Sequence, residues 1–234
     1  MLHHFPFMSE NTSIPLGGIA LIGQVEKRFG LFAKLFDDLE GRARDFLPGV
    51  KLHVYNKLTH AVSTHQIAET YSPEIARYLG TTDLPSERSL YRALERVGRL
   101  FPILMERYQR FISEHGLIDS NQVLDFSSTY FEGTKAEFSA SGYSRDKRPD
   151  KLQLNFGIAT GINEIPTALT IQKGNVQDKP HMRQMLKIVS KVVPKNSLLI
   201  FDTGGNTKKN RKEVRELEYH YLTLMAKKVG PYLK

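Results

Sequence analysis

Residues 197–216 read SLLIFDTGGNTKKNRKEVRE, and the fold turns on how they are parsed. SLLIFD is too short for a helix and has the length and apolar content of a fully buried strand ending on Asp202. Gly204 and Gly205 break the run and let the chain turn sharply off the strand. Lys208 to Glu218 then has the composition of a basic helix. Lys208, Lys209, Arg211 and Lys212 crowd its start, where the helix macrodipole favours anions. A phosphate held there would offset that local cost. An acid at a strand end beside a basic helix is either an ordinary turn or part of a site that holds a metal over a phosphate.

Working outward, NQVLDFSSTYFEG (121–133) carries the β-branched and aromatic residues of a strand. LQLNFGIATG and IPTALTIQKGN follow as two more, joined by the turn-like Gly161-Ile162-Asn163-Glu164. Asp178 to Val193 reads as a helix with Met182, Met185, Leu186 and Val189 on one face, ended by Pro194. After SLLIFD and the basic helix, HYLTLMA is a fifth strand. The order is β-β-β-α-β-α-β. In such a meander a right-handed crossover can lay the fourth strand parallel to the first. Asp125, within the first strand, and Asp202, at the end of the fourth, would then converge at one sheet edge. Two carboxylates a few ångströms apart ionise together cheaply only with a cation between them. Mg²⁺ suits such a place, because it takes hard oxygen ligands, keeps waters and accepts phosphate oxygens.

The first 120 residues read as helical. Ile22, Val25, Phe29, Phe32, Phe36 and Leu39 form one amphipathic stripe, Pro48-Gly49 interrupts, and His53 to Leu79 is a weaker helical stretch. A third helix starts at Pro85-Ser86, with Leu90, Leu94, Val97 and Phe101 as its expected buried face. Arg88, Arg92, Arg96 and Arg99 fall on its opposite side as a basic stripe. That is the pattern of a helix laid against DNA, and equally of a solvated face on which Glu95 pairs with Arg99.

The chain has 234 residues, a formal charge of +8 and no cysteine, with an isoelectric point near 9.5. From Asn206 to Lys234 there are eight Lys or Arg against three acids, so the basic excess concentrates at that end. Such a balance favours a polyanionic partner and is shared by ribosomal and membrane-surface proteins. Thiolate zinc sites, disulfides and cysteine nucleophiles are excluded. The start, MLHHFPFMSENTS, lacks the pattern of a secretory signal, and no apolar run is long enough to span a membrane. A cytoplasmic location follows as the expectation.

The element order, together with LDFSSTYFEG, GYSRDKRPDKLQLNFGI, KGNVQD and LLIFDTGGNTKKN, resembles the ribonuclease-H-like core of insertion-sequence transposases of the DDE (Asp-Asp-Glu) class. It is most similar to the group carrying a Gly-Tyr-Ser-x-Asp-x-Arg-Pro-Asp segment, met here by Gly142, Tyr143, Ser144, Asp146, Arg148, Pro149 and Asp150. The resemblance covers about residues 121–228. It implies an α+β protein: a helical DNA-binding or dimerisation region over 1–120, then a ribonuclease-H-like core over 121–234, expected to be C-terminally incomplete. It implies Asp125 and Asp202 as the first two catalytic, metal-holding carboxylates and Mg²⁺ (or Mn²⁺) as cofactor. Gly174, Asn175 and Asp178 match the family's Gly-Asn-x-x-Asp turn, which shapes the loop beside the site. DNA is the implied partner, with a homo-oligomer or a full-length transposase as further partners and no membrane; a nucleoid-associated location goes with it. Within this resemblance Arg145, Lys147 and Arg148 would track the DNA backbone.

Two departures stand out. The family's Glu lies well downstream of the second Asp, on a helix after an inserted segment, and Glu213, Glu216 and Glu218 are too close to Asp202 to replace it. Asp202-Thr203-Gly204 also stands where the family often has Asp-Arg-Gly. The expectation is therefore a transposase by ancestry, a truncated copy inactive on its own; the alternative is a non-catalytic DNA-binding or partner-binding remnant. Other readings fit less well. FDTGG is shared with the loop of aspartic proteases, which are all-β. LDFSST has Ser127 where haloacid-dehalogenase-type phosphatases need an acid. Gly204-Gly205 before Lys208-Lys209 lacks P-loop spacing. His60 and His65, five apart, do not share a helical face for a metal.

Overall fold

The computed structural model describes residues 16–37, 39, 46–133, 136–142 and 147–225. They form two compact units that divide between Leu104 and Met105.

The first unit is helical: α1 (Leu16–Phe29), α2 (Leu31–Phe36), α3 (Leu47–Thr59), α4 (Ile67–Thr70), α5 (Ala76–Leu79) and the first turns of α6 (Glu87–Glu114). The stripe expected as one helix from Ile22 to Leu39 is two. Gly30 takes φ 62°, a left-handed conformation open to glycine without strain. The break sends Phe32 and Phe36 into a cluster with Val50, Ala93 and Leu104, while Ile19 packs with Leu52, Tyr55 and Leu90. The stretch from His53 to Leu79 is also subdivided. α3 ends before Ala61, which has φ 54°, Ser63 and Gln66 form a capping box for the next turn, and Pro73 opens another.

α6 begins after Pro85-Ser86, where the Ser86 hydroxyl accepts from the Ser89 N–H at 3.3 Å. Its buried face is not the one periodicity suggests: Leu90 and Ala93 are fully buried, whereas Leu94 is 46% exposed. The cause lies on α3. A Cβ on Gly49 would stand 2.9 Å from the Ala93 methyl, so the two backbones approach closely at Gly49 and Ala93. That contact rotates Leu94 outward, since one residue is about 100° of helix.

The second unit holds β1 (Asn121–Phe131), β2 (Leu152–Gly161), β3 (Pro166–Lys173), α7 (Asp178–Val189), β4 (Leu198–Phe201), α8 (Lys208–Glu216) and β5 (His220–Thr223). This is the β-β-β-α-β-α-β order expected from the sequence. The sheet runs β3-β2-β1-β4-β5. β1 pairs antiparallel with β2 and parallel with β4, in the register Leu124↔Phe201. Alternation sorts the side chains. Leu124, Phe126, Leu199 and Phe201 face α7 and α8 and are buried with Met182, Met185, Leu186 and Val214. Val123 and Leu222 lie on the opposite face, 42% and 59% exposed. Gln109, near the end of α6 and 3% exposed, donates to the carbonyls of Thr167 and Ile188, closing one end of this core.

Leu186 is fully buried at the centre of that cluster. Leu186→Ala removes its transfer energy and leaves a cavity, so it is expected to destabilise this unit by about 3 kcal/mol. Urea unfolding followed by circular dichroism measures the effect; a loss under ~1 kcal/mol would mean the α7–sheet interface collapses around the vacancy.

Candidate active site

Asp125 follows Leu124 on β1 and Asp202 follows Phe201 on β4. Because Leu124 and Phe201 are partners in parallel strands, the two aspartates are level with each other on neighbouring strands. Both alternate away from the α7-covered face, and both are exposed. Each carboxylate is oriented by backbone. Asp125 Oδ1 accepts from the Phe126 N–H at 2.9 Å, and Asp202 Oδ1 accepts from the N–H groups of Gly204 and Gly205 at 2.9 and 3.3 Å. The Asp202 carbonyl in turn accepts from the Thr223 hydroxyl of β5 at 3.2 Å.

Gly204 and Gly205 owe their identity to something other than a turn that needs left-handed backbone, since neither has positive φ. Space decides at Gly204. A Cβ there would lie 2.6 Å from Asp178 Oδ2 and 3.1 Å from Asp202 Oδ1, so the two carboxylates flank one bare Cα. Asp178 is the first residue of α7, where an acid suits the macrodipole. Next to it opens a cavity of about 460 Å³, lined by Gly142, Asn155, Gly174, Asn175, Asp178 and Gly204. Gly174 is buried; a Cβ on it would be 2.6 Å from the Ala140 carbonyl. Asn175 is exposed. Asn155 spans the same loop, donating to the carbonyls of Gly174 and Val176.

The cations differ in what they are free to meet. Arg88, Arg92, Arg96 and Arg99 are all exposed on α6, and Arg99 is held by Glu95 at 2.6 Å. Lys208 and Lys209 are exposed at the start of α8. Arg211 bonds to Asn206, and Lys212 pairs with Glu216 at 3.4 Å. Lys147 is exposed with φ 58°. Arg148 forms a bidentate pair with Asp150, both contacts 3.0 Å. It reaches Glu132 at 3.3 Å and lies 5.1 Å from the Tyr130 ring centre. Its hydrogen bond holds the Asp150 carboxyl below the ordinary carboxylate range. Arg145 lies outside the described residues.

Three buried polar residues here escape a reading by motif. Asn210, 1% exposed, donates to the Lys179 carbonyl at 3.0 Å and the Gly205 carbonyl at 2.8 Å. An asparagine inside a basic helix is itself a signal, since its short amide competes with helical bonding. Thr167, fully buried, donates to Gln122 Oε1 at 2.5 Å. His181 on α7 is fully buried, with its ring 4.9 Å from that of Phe126. Neither ring nitrogen has a hydrogen-bond partner among the described residues.

Burial pushes the His181 pKa down to about 4. A histidine lowered in the folded state adds stability that is full above the unfolded value near 6.5. That contribution is lost as pH falls from there toward 4. Urea unfolding is expected to give a stability drop on the order of 3 kcal/mol from this group between pH 7.5 and 4. The drop should be absent in His181→Leu; equal pH dependence in both proteins would contradict it.

A metal at this edge can be tested against the residues present. The chemistry of the donors fits Mg²⁺: two level, exposed carboxylates, each with one oxygen fixed by backbone N–H, beside glycines that leave room for water or phosphate. Among the described residues no three His, Asp or Glu side chains gather closely enough to hold a metal by themselves. No helix among them is long and apolar enough to cross a membrane.

No curated protein matches. Two solved structures are similar at low identity. One is the Mos1 transposase paired-end complex with left transposon end, at 13% identity and TM-score 0.32, covering 74% of this chain and 57% of that one. The other is the piggyBac transposase synaptic complex with hairpin DNA, at 9% identity and TM-score 0.48, covering 94% and 52%. The chain thus spans little more than half the length of either. Residues 117–234, which contain the whole sheet with α7 and α8, match the family model described as the transposase DDE domain. The chain belongs to the transposase DDE domain family.

Proposed function

We propose that this protein acts in DNA transposition, gripping DNA through its basic surfaces and presenting Asp125 and Asp202 as two carboxylates of a phosphodiester-cleaving site. What carries the reading is the β1–β4 register, which sets the two acids level on one open face within the family's domain. Bound Mg²⁺ or Mn²⁺ would supply activation of a water or 3′-hydroxyl and stabilisation of the leaving oxygen. Asp125 and Asp202 would hold that ion. The backbone donors of Gly204 and Gly205 hold one oxygen of the Asp202 carboxylate in place. Lys208 and Lys209 would meet phosphates beside them, with Lys147 a further contact of this unit, and the α6 arginines would separately meet the DNA backbone from the first unit. Arg148 in this reading orders its segment through Asp150 and Glu132.

A specific observation favours binding without cutting by these residues alone. Glu213, Glu216 and Glu218 are paired with Arg183, Lys212 and Lys195, and α8 buries Val214 in the cluster on the face away from Asp125. None of them completes the site. Cleavage by the family mechanism would need a third carboxylate, which these three do not supply. The test is Mg²⁺-dependent nicking of a labelled element end by the 234-residue chain, with DNA affinity measured over a salt series. Salt-sensitive binding without nicking is expected. Nicking that depends on both aspartates would remove the need for the third group, and an affinity indifferent to salt would overturn the DNA reading.

A further inference from the structure

We propose that Asn210 is a positioning residue for the acidic edge, acting on Asp202 through the Gly204–Gly205 loop; the inference rests on the reading of Asp202 given under Proposed function. The contacts form a relay whose two bonds lie on either side of the Gly205 Cα. Asn210 is 1% exposed, and its amide nitrogen has two protons. Both are used on backbone carbonyls, Gly205 at 2.8 Å and Lys179 at 3.0 Å. Gly205 in turn gives its N–H to Asp202 Oδ1, alongside Gly204. One side chain therefore ties the loop that orients Asp202 to the first turn of α7, which carries Asp178. Asn210 is itself fixed, since its backbone N–H donates at 3.0 Å to the Thr207 hydroxyl that caps α8.

Asp178 and Asp202 both approach the position a Cβ would take at Gly204, so the head of α7, the loop and Asp202 meet at one point. The Asn210 bonds hold that meeting point from the buried side. A carboxylate isostere at 210 keeps the shape and loses both donors, and it would turn two attractive contacts with carbonyl oxygens into repulsive ones. A serine keeps one donor on a shorter arm.

The experiment compares the full chain with Asn210→Asp, Asn210→Ser, Val214→Ala and Asp202→Ala. Mn²⁺ affinity is read by electron paramagnetic resonance, the Gly204 and Gly205 amide resonances by NMR, and stability by urea unfolding. Val214 is buried on the same helix, so Val214→Ala controls for loss of stability alone. The expected result is a five- to tenfold loss of Mn²⁺ affinity in Asn210→Asp and a smaller loss in Asn210→Ser, each with displaced Gly204 and Gly205 amide resonances. Val214→Ala should lose stability and keep both its affinity and those resonances. If Asp202→Ala weakens Mn²⁺ binding while the folded Asn210 variants bind as the parent does, Asn210 is structural only and the inference falls while the site reading stands. If the Asn210 variants lose affinity no more than Val214→Ala does, the inference falls likewise. If Asp202→Ala binds Mn²⁺ as the parent does, the site reading falls and takes the inference with it.

Discussion

Asp125→Ala and Asp202→Ala are each expected to lower the Mn²⁺ affinity of the 234-residue chain at least tenfold, and the double variant to leave no saturable binding. The two carboxylates stand level on adjacent parallel strands, so an ion between them relieves their mutual repulsion as well as gaining ligands. Removing either one takes away a ligand and one of the two negative charges that attract the cation. A tenfold loss corresponds to about 1.4 kcal/mol, a modest figure for a direct ligand that leaves water to fill the position. Asp150→Ala is the control, since that acid is already committed to Arg148, and its Mn²⁺ affinity should match the parent's. Identical Mn²⁺ binding in the parent and both aspartate variants would remove the metal from this edge.

The combined substitution of Arg88, Arg92, Arg96 and Arg99 by alanine is expected to weaken duplex binding at least tenfold near 100 mM salt, because each phosphate contact releases condensed counterions. The slope of log affinity against log salt should flatten by about 3, taking roughly 0.9 per phosphate contact. Arg99 should contribute least, because Glu95 holds it at 2.6 Å. Fluorescence anisotropy on an element end and on an unrelated duplex gives both slopes. Equal flattening on the two would mean the stripe meets backbone only, and a larger loss on the element end would mean it also reaches bases. An unchanged slope would return α6 to a solvated face.

How much of this was legible in the sequence varies with the kind of information each feature carries. β2 falls on LQLNFGIATG because alternation, β-branching and the flanking turn residues all act within ten residues. α7 presents Met182, Met185, Leu186 and Val189 as its period requires, each of them fully buried. Leu94 shows where that logic stops. Its apolar character predicted burial, but a close approach at Gly49 and Ala93 set the rotation of α6. At Arg148 the sequence shows only a charged loop, and folding brings Glu132 and Tyr130 beside its pair with Asp150. Asn210 stood out only as an asparagine inside a basic helix, and its role is set by Lys179, 31 residues away; His181 gave no signal, because its burial is set by its neighbours.

By itself the sequence determined the identity and order of the elements in the second unit, the end of β4 just before Asp202 and the cationic start of α8. All of these follow from propensity and periodicity, which act between residues a few positions apart. Tertiary structure alone decided that β1 and β4 pair in the register Leu124↔Phe201, that the Asp178 and Asp202 carboxylates both approach the bare side of Gly204, and that Asn210 bonds the loop beneath. Register and close approach arise from packing between distant segments. That is why a local pattern could name Asp125 and Asp202 as acids on two strands, while only the folded sheet sets them side by side.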